Sequence, residues 1–222
     1  MAELVWDKVG ERTYENGVDH GVLYLQDDEG NYDTGFVWNG LTTVTESPSG
    51  AEQTPQYADN IKYLNLQSAE EFGATIEAFT YPEEFGVCDG TAEPIKGMRI
   101  GQQTRRNFGF SYRTKVGNDL NPDAGYKIHL VYGALASPSE KGYTTVNDSP
   151  EAITFSWTVT TTAVEVPGFK PSATVVFDSR DLTDEQLSGL EDMLYGTANT
   201  EPSLPLPGDL IDLLGGLVQP AA

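Results

Sequence analysis

Apolar and polar positions alternate with a period of two through most of this chain, the mark of strands with one buried face and one wet face. Gly21-Val22-Leu23-Tyr24-Leu25-Gln26 opens the series. In 71–81, Phe72, Ala74, Ile76 and Ala78 share one face, Glu71, Thr75 and Glu77 the other, and Phe79 is out of step. Phe108, Phe110 and Tyr112 alternate with Asn107, Ser111 and Arg113 in a strand expected over 104–113. Tyr126, Ile128, Leu130 and Tyr132 form the apolar face of another, which leaves His129 with Lys127 on a solvated or interface face. Ile153, Phe155, Trp157 and Val159 alternate with threonines and a serine in the longest strand expected, 151–164, and 173–177 closes the set.

Turn signals punctuate these runs. Asn39-Gly40 between two β-rich runs predicts a two-residue hairpin, whose turn needs φ > 0 at both positions. The stretch 46–57 holds Pro48, Pro55 and Gly50 and reads as a long flexible loop. One helix is well signed over 183–195: Thr183 caps it with Gln186 three residues on, and Leu182 and Leu187 hold the staple positions. Leu187, Leu190 and Leu194 make its apolar stripe, and Gly196 stops it. Residues 1–19 read as an N-terminal arm or edge strand, 20–196 as one β domain and 197–222 as a C-terminal arm. The leucine cluster around Leu210 and Leu213 needs cover, from another subunit or from its own domain. Many alternating strands and one capped helix give a mostly antiparallel β-sandwich flanked by an α-helix.

Several segments carry a family likeness. Trp38-Asn39-Gly40-Leu41, Glu46-Ser47-Pro48-Ser49-Gly50, 57–63, 72–78 and Tyr81-Pro82 resemble the major tail (tail tube) proteins of long-tailed siphophages of actinobacteria. The likeness continues through 100–105, 130–136 and 146–157. It implies a non-enzymatic virion protein, assembled in the host cytoplasm, that stacks as hexameric rings into a tube for genome delivery. In such a ring each subunit lends strands to a continuous β-barrel around the channel. The implied partners are further copies of the chain, a tape-measure protein in the lumen, and tail terminator and baseplate or distal tail proteins at the ends. Double-stranded DNA passes without specific binding, and no membrane is involved.

Charge sharpens that expectation. Thirteen basic against thirty-four acidic residues give a formal net charge of −21. Nucleic acids and anionic lipids are bound by lysines and arginines that neutralise phosphate, so this surface repels them. A tube wall that DNA must not stick to suits such a composition, with Glu71, Thr75 and Glu77 as lumen-lining candidates. Ser47, Pro48, Ser49, Gly50, Gln53 and Tyr57 are the inter-subunit or inter-ring candidates on the 46–57 stretch, with Leu210 and Leu213 at the C-terminal end. Seven of the thirteen bases lie between Lys96 and Lys127. Arg105 and Arg113 fall opposite the aromatics of their strand, which separates phosphate contact from base stacking and favours pairing with an acidic edge of another copy.

Other chemistries find little footing. Cys88 alone forms no internal disulfide, its neighbours do not activate it, and with only His20 and His129 there is no zinc set and no cofactor motif. The oxygen-rich stretch 27–35 lacks the spacing of a calcium loop and reads as a solvated turn. The acidic pairs Glu70-Glu71 and Glu83-Glu84 point to opposite strand faces and make no catalytic couple. No charged, apolar leader opens the sequence and no apolar run approaches a membrane span, so a cytosolic origin is expected. The rival reading is a monomeric β-sandwich that binds or cleaves polysaccharide, with Trp38, Trp157 and tyrosines as stacking platforms. A capsid or tail-terminator subunit is a third.

Overall fold

The computed structural model describes residues 4–146, 148–149 and 151–215. Every strand pairing in it is antiparallel. Among the described residues fourteen strands are formed: β1 (Thr13–Leu25), β2 (Gly35–Trp38), β3 (Leu41–Glu46), β4 (Ser49–Gly50), β5 (Gln53–Ala58), β6 (Ile61–Gln67), β7 (Glu70–Glu71), β8 (Gly73–Ala78), β9 (Ala92–Ile95), β10 (Met98–Ile100), β11 (Phe108–Asn118), β12 (Gly125–Ala136), β13 (Phe155–Thr161) and β14 (Thr174–Asp178). Two helices follow, α1 (Asp184–Tyr195) and α2 (Pro207–Leu213), and a 3-10 turn spans Glu83–Val87.

The main sheet has eight strands in the order β2-β1-β11-β12-β13-β8-β3, with β14 also on β12. The two end strands, β2 and β3, are consecutive in the chain and joined only by Asn39-Gly40. The sheet therefore curls until its ends are neighbours: a Cβ on Gly21 of β1 would stand 2.4 Å from the Leu41 side chain of β3. This corrects the Asn39-Gly40 expectation. Only Gly40 has the left-handed backbone (φ 76°), and the two strands diverge to opposite ends of the sheet order. Leu41 pairs with Ala78, and the corner is fixed by Phe79 N–H donating to Gly40 O at 2.9 Å.

Curling encloses an aromatic core. Trp38 packs edge to face on Phe110 and Trp157, and Phe85 on Trp157 at 5.2 Å between ring centroids, while Trp38 and Phe85 meet tilted at 4.6 Å. The outer face of the same sheet carries a second core, in which Val22, Tyr24, Ile128, Leu130 and Tyr132 meet Leu190 and Leu194 of α1. The phase of β12 changes at Gly133 (φ 57°), so Ile128 and Leu130 face the helices while Ala134 and Ala136 face the aromatic core. Tyrosine hydroxyls bolt the C-terminal segment to this outer face. Tyr24 donates to Leu194 O at 2.8 Å and Tyr132 to Pro205 O at 2.9 Å.

The expected boundaries shift accordingly. β1 begins at Thr13, inside the stretch expected as an arm or edge strand, and its polar start pairs on one side only, with 113–118 of β11. The expected 151–164 strand shortens to β13, and β1 is the longest. The capping box of α1 forms as read, with Thr183 Oγ1 accepting from Gln186 N–H. Residues 197–215 pack on the body where an arm was expected. Leu204 is buried, α2 makes a second helix where one was expected, and Leu210 is 2% exposed beneath it.

Candidate functional site

The expected flexible loop, 46–57, is the outgoing side of the outer half of one long β-hairpin. Its inner half, β3 and β8, lies in the main sheet, and Ser47 N–H donating to Gly73 O at 2.7 Å carries the pairing past the sheet rim. Ser49 and Gly50 then pair with Glu71 and Glu70, and β5 pairs with β6 from Gln53↔Gln67 to Ala58↔Ile61. The turn is Asp59-Asn60, with φ of 51° and 63°, the left-handed pair that the sequence signal had placed at Asn39-Gly40. Pro55 is tolerated because each strand of a two-stranded hairpin has one open side on which a missing N–H costs nothing.

Every residue of β5 and β6 is exposed. Tyr57 is 71% exposed, Ile61 62% and Tyr63 67%, and Leu64 and Leu66 are exposed beside them. At ~3.3 Å per residue the projection reaches at most roughly 40 Å from Gly73 to Asn60. A two-stranded hairpin alone in water is marginal, and this one presents its apolar side chains to solvent on every side. Ser47, Pro48, Ser49, Gly50, Gln53 and Tyr57 all lie on it or at its root.

A second, short hairpin was not foreseen. β9 and β10 join through Lys96-Gly97, with Ile95 opposite Met98, and Ile95, Met98 and Ile100 are exposed. Two apolar residues flanking a Lys-Gly step were its only sequence signal. The two projections leave opposite ends of β8: the long hairpin precedes Gly73, and the 3-10 turn and short hairpin follow Ala78.

The outward face of β3, β8 and β13 is the third feature. Thr75 pairs with Thr45 and Thr158, and Glu77 with Thr43 and Ser156, so short hydroxyl side chains and one carboxylate tile the surface. These strands contain no lysine or arginine. Ala74, Ile76 and Ala78 are buried behind them, as the alternation required. Glu71 does not join this face: Phe72 interrupts the strand, and Glu71 pairs with Ser49 in the hairpin root.

No family model matches the chain, and no curated protein matches it. Two solved structures show a distant overall likeness. One is a chain of the PVC sheath–tube complex, an extracellular contractile injection system in its extended state, at TM-score 0.33 and 12% identity over 72% of this chain and 88% of that one. The other belongs to the six-fold symmetrised baseplate of the anti-feeding prophage, at TM-score 0.37 and 8% identity over 78% of this chain and 97% of that one. Likeness at that level is resemblance of shape and carries nothing further.

The remaining candidates are engaged within the chain. Arg113 pairs with Asp19 through two hydrogen bonds, at 2.7 and 3.1 Å, and its guanidinium stacks over Tyr126. Burial works against the Asp19 carboxylate, but the Arg113 hydrogen bonds outweigh it and hold its pKa below the ordinary value. Arg105 precedes β11 and joins Asp89 (3.4 Å) and Ala136 O (3.0 Å). Leu210 is buried in its own domain and Leu213 is 38% exposed. His129 is half-buried instead of solvated: its ring lies parallel to Tyr112 at 4.6 Å, Nε2 shares a hydrogen bond with Thr114 Oγ1 at 3.0 Å, and Nδ1 stands 3.5 Å from Glu46 Oε1. Burial, against the pull of Glu46 and Glu15, lowers its pKa.

Trp38 and Trp157, the tryptophan platforms of the polysaccharide reading, are core residues at 2% and 0% exposed; Tyr24, Tyr32 and Tyr132 are buried as well, while Tyr14, Tyr57, Tyr63 and Tyr143 are exposed. Cys88 is buried, and desolvation pushes its thiol up to about 12. Asp27 Oδ1 accepts from the N–H groups of Glu29 (2.9 Å) and Asn31 (2.8 Å), making 27–31 a self-bonded turn. Among the described residues no three metal-ligating side chains converge, and no helix is long and apolar enough to cross a membrane.

Proposed function

We propose that the chain is a structural tube subunit, non-enzymatic, whose copies close into rings and stack into the conduit of a phage tail. The observation that carries this is the long hairpin, built on the edge of a closed, well-packed body yet packed against nothing. Its five exposed large apolar residues have a physical rationale only if another copy covers them. The β3–β8–β13 face supports the lumen role. It is polar, free of cations and held rigid by the aromatic core behind it, so DNA passing along it finds no counterion-releasing contact. Thr75 and Glu77 are its lumen residues in this reading, and Glu71 belongs to the inter-subunit set.

Six-fold rings follow from the family resemblance, as do a tape-measure protein within the tube, terminator and distal tail proteins at its ends, and a place in the virion. The test is to excise the projection, joining Ser47 to Phe72 through a two-residue turn. The shortened chain should stay folded and monomeric at concentrations where the full chain forms tubes in negative-stain images. Tubes formed equally well by the shortened chain would refute the reading.

A further inference from the structure

We infer that the short β9–β10 hairpin is the second half of the assembly contact, and that it seats in the groove at the root of the long hairpin of another copy. The inference rests on the self-assembly proposed above. With a net charge of −21, identical copies repel one another unless cations sit where they touch. Cations are scarce. Most lysines and arginines are spent on ion pairs within the chain, and among the described residues Lys62, Lys96, Arg106, Lys115 and Lys170 make none. Lys96 stands at the tip of the short hairpin, beside Ile95 and Met98, and Arg99 follows with only a 3.6 Å contact to the exposed Glu83. Glu93 on the same hairpin is turned back on its own turn, where Oε1 accepts from Gly97 N–H at 2.6 Å, so the hairpin carries one net positive charge beside apolar residues on an anionic molecule.

The complementary surface lies at the other end of β8. A groove of about 440 Å³ beneath the long hairpin is lined by Glu70, Glu71 and Phe72 on one side and by Pro171 and Ala163 on the other, with Pro48 at its rim. Among the described residues Glu70 and Glu71 have no cation within ion-pair distance. Lys170 lines the adjoining depression with Ala51 and Gln67. Carboxylates beside a phenylalanine and prolines match Lys96 and Arg99 beside isoleucines and a methionine. The six-residue strand β8, about 20 Å long, lies between the groove and the segment that carries the hairpin, and among the described residues no ion pair joins Lys96 or Arg99 to Glu70 or Glu71. Between copies hairpin and groove form a head-to-tail contact, which closes into a ring or extends as a filament according to its rotation.

The experiment is charge reversal with rescue. Lys96→Glu/Arg99→Glu should leave the circular-dichroism spectrum and melting temperature unchanged, since both side chains are exposed. It should raise the concentration needed for tube formation about a hundred-fold or more, because like charges then face each other. Adding Glu70→Lys/Glu71→Lys to that variant should restore assembly. If the doubly reversed hairpin assembles as the parent does, the inference is overturned while the tube reading stands. A loss of assembly that the groove reversal does not rescue overturns the groove as the acceptor. A parent chain that stays monomeric throughout overturns both.

Discussion

The turn of the long hairpin separates assembly from folding more cleanly than any other position. Asp59 and Asn60 hold φ of 51° and 63°, a region that side chains branched at Cβ resist. Forcing an ordinary residue into the left-handed region costs about 1–2 kcal/mol, so Asp59→Val/Asn60→Val should disfavour the projecting conformation by about 2–4 kcal/mol. None of that reaches the body, because every residue of β5 and β6 is exposed and makes no part of either core. The melting temperature should stay where it is. If assembly requires the ordered hairpin, its critical concentration should rise roughly 30- to 1,000-fold, at 1.4 kcal/mol per decade. Sedimentation across a dilution series measures the second quantity and a thermal melt the first. Asn60→Gly, which relieves the same strain, should move the critical concentration the other way by a few-fold. An unchanged critical concentration in the valine variant refutes a role for the ordered hairpin. A melt that falls in step with assembly refutes its independence from the body.

Three further outcomes follow from the same geometry. Trp157→Ala removes the centre of the aromatic core and should cost about 3–5 kcal/mol, read as a lower urea midpoint with assembly lost as a consequence. His129 has its pKa depressed in the folded chain, so the unfolded chain takes up the proton first as pH drops below the ordinary histidine value of about 6.5. Stability is therefore full above that value and is lost as pH falls through the folded pKa, and His129→Gln should flatten this stretch of the urea-midpoint profile between pH 7.5 and 5. Glu77→Lys should leave tube formation intact but make tubes retain short duplex DNA in co-sedimentation at low salt, and retention should vanish as salt rises. Absence of retention would remove Glu77 from the lumen.

Much of the body was legible because alternation reports burial directly. Ala74, Ile76, Ala78, Phe108, Phe110, Tyr112, Trp157 and Val159 all fall inside where the pattern put them, and α1 carries the cap its sequence spelled out. What escaped was geometry that side-chain pattern does not encode. Asn39-Gly40 and Asp59-Asn60 are both plausible turn pairs, and the choice was made by tertiary context: Trp38 is held in the aromatic core while Leu41 is drawn to Ala78 across the curl. The outgoing strand β5 reads as loop because it buries neither face, so no alternation develops to announce it. The polar start of β1 hid for the same reason. Leu210 could be placed under cover from sequence, but only the fold says that the cover is its own sheet. Arg105 and Arg113 looked available because their partners, Asp89 and Asp19, lie far off in sequence.

The chain passes from one projection to the other through a single strand gripped on both flanks, by β3 and by β13. A tensile load entering at either tip would run lengthwise along that strand and oppose all its lateral hydrogen bonds together, where a load on a sheet edge would unzip them one at a time. In any filament held through those projections, β8 would be the tie rod, carrying load across each copy through covalent backbone.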